Sequence, residues 1–189
     1  MLGKSSMALK TLDDIEKNFS PSSLMHIRSL HSRIFVQILS GNMSDATTAS
    51  ERFNFATRNC DYKTVEAFSW YFRGNIAFQT FNEEVAQPAF CSTLGRTGML
   101  NYRVYFDALA GLILFKTLAG NENASKKYLK EFKEKLGKLK DSRLQINYQS
   151  VKARVALLNG QGKQELVWAE TNWVKQTVSS YLSLFVKAI

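Results

Sequence analysis

Residues 101–124 read NYRVYFDALAGLILFKTLAGNENA, and the middle of this stretch is almost wholly apolar. A bilayer span needs about 20 predominantly apolar residues, whereas Arg103, Asp107 and Lys116 interrupt this run. The spacing favours a different structure. Val104, Ala108, Gly111, Phe115 and Leu118 recur at steps of 4, 3, 4 and 3, and Phe106, Leu109 and Ile113 mark a second apolar stripe at helical spacing. A helix with two apolar faces needs a neighbour on each, so a bundle or a stack of repeats is its natural setting.

The rest of the chain points the same way. Its 189 residues are 45% hydrophobic, with 13 Phe, 7 Tyr and 3 Trp, enough to build a core without disulfide or metal staples. One elongated domain is expected. Only two Pro and ten Gly occur, and no Asn-Gly or Asp-Gly pair separates two alternating runs, so the fold class is all-α. Cys60 and Cys91 show no metal-ligand spacing and read as free thiols used mainly for packing. The opening MLGKSSMALKTL lacks the apolar segment of a signal peptide, which makes the cytoplasm the expected compartment and leaves no membrane partner.

The net charge of +9 is concentrated between Lys126 and Arg143, where lysines interleave with Glu131, Glu134 and Asp141. Mixed charge of this kind reads as a solvated helix face. Single-strand binding pairs basic groups with aromatics and sequence reading needs a groove-entering helix; neither is visible, so direct nucleic-acid binding is not expected.

Self-similarity organises the chain. IFVQILSGN, NIAFQTFNE, LILFKTLAGN and ARVALLNGQG each close a long apolar segment with a break, and the anchors Gly41, Phe81, Gly120 and Gly160 lie 40, 39 and 40 residues apart. Each break is followed by a shorter, more polar helical segment. The reading is a repeat of about 39 to 40 residues, in units near 22–61, 62–100, 101–140 and 141–180, each a long helix A and a helix B. The A helices are expected over roughly 22–40, 62–81, 101–119 and 142–159, the B helices over DATTASERFNFATRN, EEVAQPAFCSTLG, ASKKYLKEFKEKLG and KQELVWAETNW, with a further helix near residues 8–19 before them.

Trp70, Gly74, Ala86 and Phe90 fall on the W-x2-L-G-x2-Y…A-x3-F spacing of a tetratricopeptide unit, with Arg73 in place of Leu and Ala77 in place of Tyr. The fold is therefore expected to be a right-handed α/α superhelix of tetratricopeptide-like hairpins, with helix B on the convex side. Gly74 and Ala86 are expected where helices A and B cross, a point that tolerates only small side chains.

At YFDALAGLILFKTLAGNENA and ARVALLNGQGKQELVWA the sequence resembles the tetratricopeptide-like region of the large ATP-dependent LuxR-type transcriptional activators, the class that includes the maltose regulator. The resemblance covers roughly residues 22–189. It implies a non-catalytic effector-sensing and protein-interaction domain whose partners are a small-molecule inducer or a peptide segment and the other domains of a parent regulator. The sequence carries no G-x4-GK[ST] phosphate loop and no helix-turn-helix candidate, so it reads as an excised middle domain. The alternative is a free-standing tetratricopeptide scaffold that binds an extended protein segment.

No nucleophile–base pair, carboxylate pair or metal-ligand cluster is assembled in the sequence, so no catalytic residue, metal or cofactor is expected. His31 follows Leu24 and Ile27 and precedes Ile34 and Ile38 at helical spacing, which places it as a hydrogen-bonded histidine at the core edge. Equivalent positions of successive A helices line one surface in a solenoid, and counting back from each break brings Arg33, Trp70, Arg73, Tyr105 and Lys152 to that surface. Donors beside flat aromatic platforms suit a small polar ligand or a peptide. The competing explanation is a solvated edge where long basic side chains lie over apolar neighbours, with Glu66 and Arg73 as a structural ion pair.

Overall fold

The computed structural model describes residues 2–58, 63–96, 102–139 and 141–161, and within them the protein is helical with no strand. Eight helices are described: α1 (Leu2–Asn18), α2 (Leu24–Leu39), α3 (Met43–Thr57), α4 (Lys63–Gln79), α5 (Glu83–Leu94), α6 (Tyr102–Leu118), α7 (Glu122–Leu136) and α8 (Ser142–Leu158). The A helices are α2, α4, α6 and α8, each within two residues of its expected ends. The B segment expected over KQELVWAETNW lies outside the described residues. Helix α1 begins earlier than expected, because LGKSSM offers no apolar period by which a sequence reading finds a helix start.

The breaks are set by local backbone chemistry. Gly41, Gly120 and Gly160 have φ of 75°, 69° and 73°, and Phe81 has φ of 55°. At each, the last carbonyls of the A helix are closed in the same way. The amide of the left-handed residue bonds back to Ile38, Phe78, Thr117 or Leu157, and the next amide bonds to Gln37, Ala77, Lys116 or Ala156. This is the Schellman termination, and it occurs four times. The residue after the break then opens the B helix: the side-chain oxygens of Asn82 and Asn121 accept from the amides of Val85 and Ala124.

Phe81 is the odd member, 76% exposed and in a conformation that suits glycine. Phe81→Gly should remove a left-handed strain of about 1 kcal/mol without loss of packing. Chemical denaturation that shows no gain in stability would contradict this.

The described helices fall into two compact units, one within residues 1–100 and one within residues 101–189. In the first, α1 packs on α2, α2 on α3, α3 on α4 and α4 on α5; in the second, α6 packs on α7 and α8, and α7 on α8. Neighbouring helices thus pair in chain order, as in an array of helical hairpins. The first unit is centred on aromatic rings: Phe53, Tyr71, Phe72 and Phe90 are fully buried, and burying each such ring contributes about 2–3 kcal/mol. Helix α6 is buried continuously from Val104 to Phe115, on all sides rather than on two stripes. Leu118, placed in a stripe by its spacing, is 54% exposed because the helix is about to turn at Gly120.

Candidate functional site

The first unit brings Trp70 and Arg73 together on α4. They are three residues apart, hence neighbours on one helix face, and the Arg73 guanidinium carbon lies 5.7 Å from the Trp70 ring centroid. A second guanidinium arrives from the end of α5: Arg96 is also 5.7 Å from that ring. Arg96 is held in place at both ends of its fork, donating from Nη1 to the Ser92 carbonyl at 2.9 Å and from Nη2 to Glu66 Oε1 at 2.9 Å. Glu66 therefore pairs with Arg96 across the hairpin and not with Arg73. Arg73 is exposed, and among the described residues it makes no ion pair or hydrogen bond beyond its stacking on the indole.

The arrangement has a definite chemical character. A half-buried indole supplies a flat apolar face, a fixed guanidinium sets a positive potential beside it, and a free guanidinium offers a planar fork of donors. Arginine forks bind carboxylate and phosphate in two-point fashion, and cations over an indole face gain about 0.5–1 kcal/mol at exposed sites.

The other expected site residues are described within their own units. Arg33 of α2 bonds Glu16 Oε1 at 2.7 Å and Asp13 Oδ1 at 2.6 Å, and Glu16 also takes Arg52 of α3 at 2.6 Å. Burial works against the charge of Arg33, but hydrogen bonds and attraction from Glu16 and Asp13 outweigh it and hold its guanidinium above the ordinary value. Arg33 is thus part of a network that ties α1, α2 and α3 together. In the second unit Tyr105 is 6% exposed and donates its hydroxyl to Glu131. Burial, reinforced by the bond and charge of Glu131, raises its ionisation above that of an ordinary phenol. Lys152 is exposed on α8.

Several features escaped the sequence reading. His31 is partly buried at the core edge, as expected, and its neighbours there are aromatic, with ring centroids of Phe68, Phe35 and Phe72 at 4.8, 4.9 and 5.1 Å. Asp107, which interrupts the apolar run, is buried and accepts a bond from Asn147 of α8 at 3.4 Å. Cys91, expected in packing, is exposed on α5, and Cys60 lies outside the described residues. A shallow cavity of about 430 Å³ opens in the second unit, lined by Tyr102, Arg103, Leu139, Asp141, Ser142 and Arg143. Asp141 occupies it as the cap of α8, accepting from the Arg143 amide at 2.8 Å and the Tyr102 hydroxyl at 3.0 Å.

Among the described residues no group of three or more His, Cys, Asp or Glu is placed to hold a metal ion, and no helix is long and apolar enough to cross a membrane. The chain matches no family model, no curated protein and no solved structure.

Proposed function

We propose that the protein is a non-catalytic protein-interaction and effector-sensing domain, and that its first unit holds an anionic ligand at Trp70, Arg73 and Arg96. The observation that supports this reading is the Arg73 guanidinium, stacked on Trp70 beside Arg96 and, among the described residues, lacking an acidic partner. A structural arginine is satisfied by an acid, as Arg33 is; Arg73 is pre-positioned with its donors unused among the described residues. The resemblance to LuxR-type activators supplies the setting, with the domain reading an effector or another domain of a parent regulator through a right-handed superhelix.

The second reading, a free-standing scaffold for an extended protein segment, is favoured by the exposure of Arg73. Small-molecule sites enclose most of their ligand, whereas an acidic segment can lie across an open surface and be held by a few arginine and tryptophan anchors. Flanking phosphate-loop and helix-turn-helix modules in the full open reading frame would favour the regulator, and their absence the scaffold.

Calorimetric titration with sugars, small acidic metabolites and an Asp/Glu-rich peptide tests the site. Arg73→Ala should weaken binding by about tenfold, the worth of one charge-assisted hydrogen bond, while the Lys126→Ala, Lys130→Ala double variant should leave it nearly unchanged. A larger loss in the lysine pair, with steep salt dependence, would place the ligand on α7 instead.

A further inference from the structure

The charge of the chain is segregated between its parts. Residues 1–100 contain ten Lys and Arg against nine Asp and Glu, whereas residues 101–161 contain twelve against five. Six of those twelve basic residues lie on α7 and the turn after it, and the structure shows what each acidic residue of this helix does. Glu122 takes Lys126 at 2.6 Å, Glu134 lies 3.8 Å from Lys130, and Glu131 receives the Tyr105 hydroxyl. Lys135 sits over the Tyr105 ring, 4.6 Å from its centroid. Lys127, Lys133 and Lys138 are left exposed and without an acidic partner among the described residues. The two pairs that do form are exposed i,i+4 contacts, worth a few tenths of a kcal/mol, so Lys126 and Lys130 are also available to a stronger anion.

We propose that this face of α7 binds a nucleic-acid duplex through its phosphate backbone, without reading sequence. Three observations select this occupant. The apolar side of α7 is already used, with Phe132 and Leu136 buried at 0% and 3% exposure, so the helix has no apolar face to lay into a lipid surface as interfacial helices do. The face is made of lysine with no exposed aromatic anchor, and lysine is depleted from protein–protein interfaces. Lys126, Lys130 and Lys133 follow one another a turn apart, a row suited to a line of phosphates, and Lys138 extends it past the helix end. Aromatic platforms serve single strands and a groove-entering helix serves sequence reading; backbone binding needs neither, so their absence does not exclude it.

Anisotropy titration of the full chain against a short labelled random-sequence DNA duplex tests the proposal. Binding should fall with salt, with log K against log salt near −3 to −5 for three to five phosphates contacted at about −0.9 each. The variant Lys127→Gln, Lys133→Gln, Lys138→Gln should flatten that slope by about 2–3 and weaken binding at physiological salt at least tenfold. Lys10→Gln, Lys17→Gln, Arg28→Gln removes the same charge from the first unit and should change little. Equal loss in the two triple variants would show an effect of bulk charge alone and overturn the proposal, as would no duplex binding at all. Tighter binding to phosphatidylserine vesicles or poly-glutamate than to the duplex would overturn it in favour of a lipid or an acidic protein. Arg73→Ala should leave duplex binding intact, which separates this face from the Trp70 cluster.

Discussion

Gly74→Leu is expected to destabilise the first unit by about 3 kcal/mol through overpacking. A Cβ placed on Gly74 would stand 2.6 Å from Cδ1 and 2.8 Å from Cε1 of Phe90, which is fully buried on α5. The ring has little room to withdraw, since it also lies beside Phe78 with centroids 6.2 Å apart. Glycine inside a helix is otherwise unfavourable by about 1 kcal/mol relative to alanine, so on propensity alone Gly74→Ala would stabilise. The expected result is that even alanine destabilises, and that leucine does so more. Urea unfolding of both variants in the wild-type and Phe90→Ala backgrounds isolates the cause. If contact with the ring is responsible, the double variants lose less than the sum of their single losses. A change below about 0.5 kcal/mol for Gly74→Leu would show that the hairpin crossing is misplaced.

Acidification should weaken the same unit through His31. Burial among Phe35, Phe68 and Phe72 lowers the imidazole to about 4 from its ordinary 6.5. Above pH 6.5 the ring is neutral whether the chain is folded or not, and its stabilising contribution is complete. Between about 6.5 and 4 the unfolded chain takes up a proton that the folded chain refuses, so stability falls with pH across that window. Below about 4 both states are protonated and this loss levels off. A displacement of that size corresponds to about 3 kcal/mol. His31→Phe should flatten the pH dependence between 7 and 4 relative to wild type in denaturant titrations. Parallel curves for the two proteins would show that the ring is not held neutral by its surroundings.

Much of the fold was legible because its signals are local. The four breaks announce themselves as Gly or Phe followed by Asn or Gln, and a Schellman termination requires little beyond a left-handed residue and its neighbours. Trp70 and Arg73 were legible as a pair because three residues on one helix fix their proximity. Arg96 was not, since it joins them only when α5 folds back on α4 and Glu66 receives it. Arg33 looked like a free donor because Asp13 and Glu16 are 20 and 17 residues distant in sequence and come near only through packing of α1 on α2. Tyr105 likewise loses its hydroxyl to Glu131, 26 residues away. Periodicity shows which face a side chain occupies; it does not show which charge meets it there.

The role of the Trp70 cluster is tested most directly by fluorescence. Trp168→Phe together with Trp173→Phe leaves Trp70 as the one tryptophan of the chain. Titrating this variant with an Asp/Glu-rich peptide free of tryptophan should produce a saturable change in Trp70 emission. Arg73→Ala should abolish or weaken that change, and Lys127→Gln, Lys133→Gln, Lys138→Gln should preserve it. A peptide shown by calorimetry to bind while Trp70 emission stays constant, with affinity indifferent to Arg73, would contradict the assignment of the ligand to this cluster.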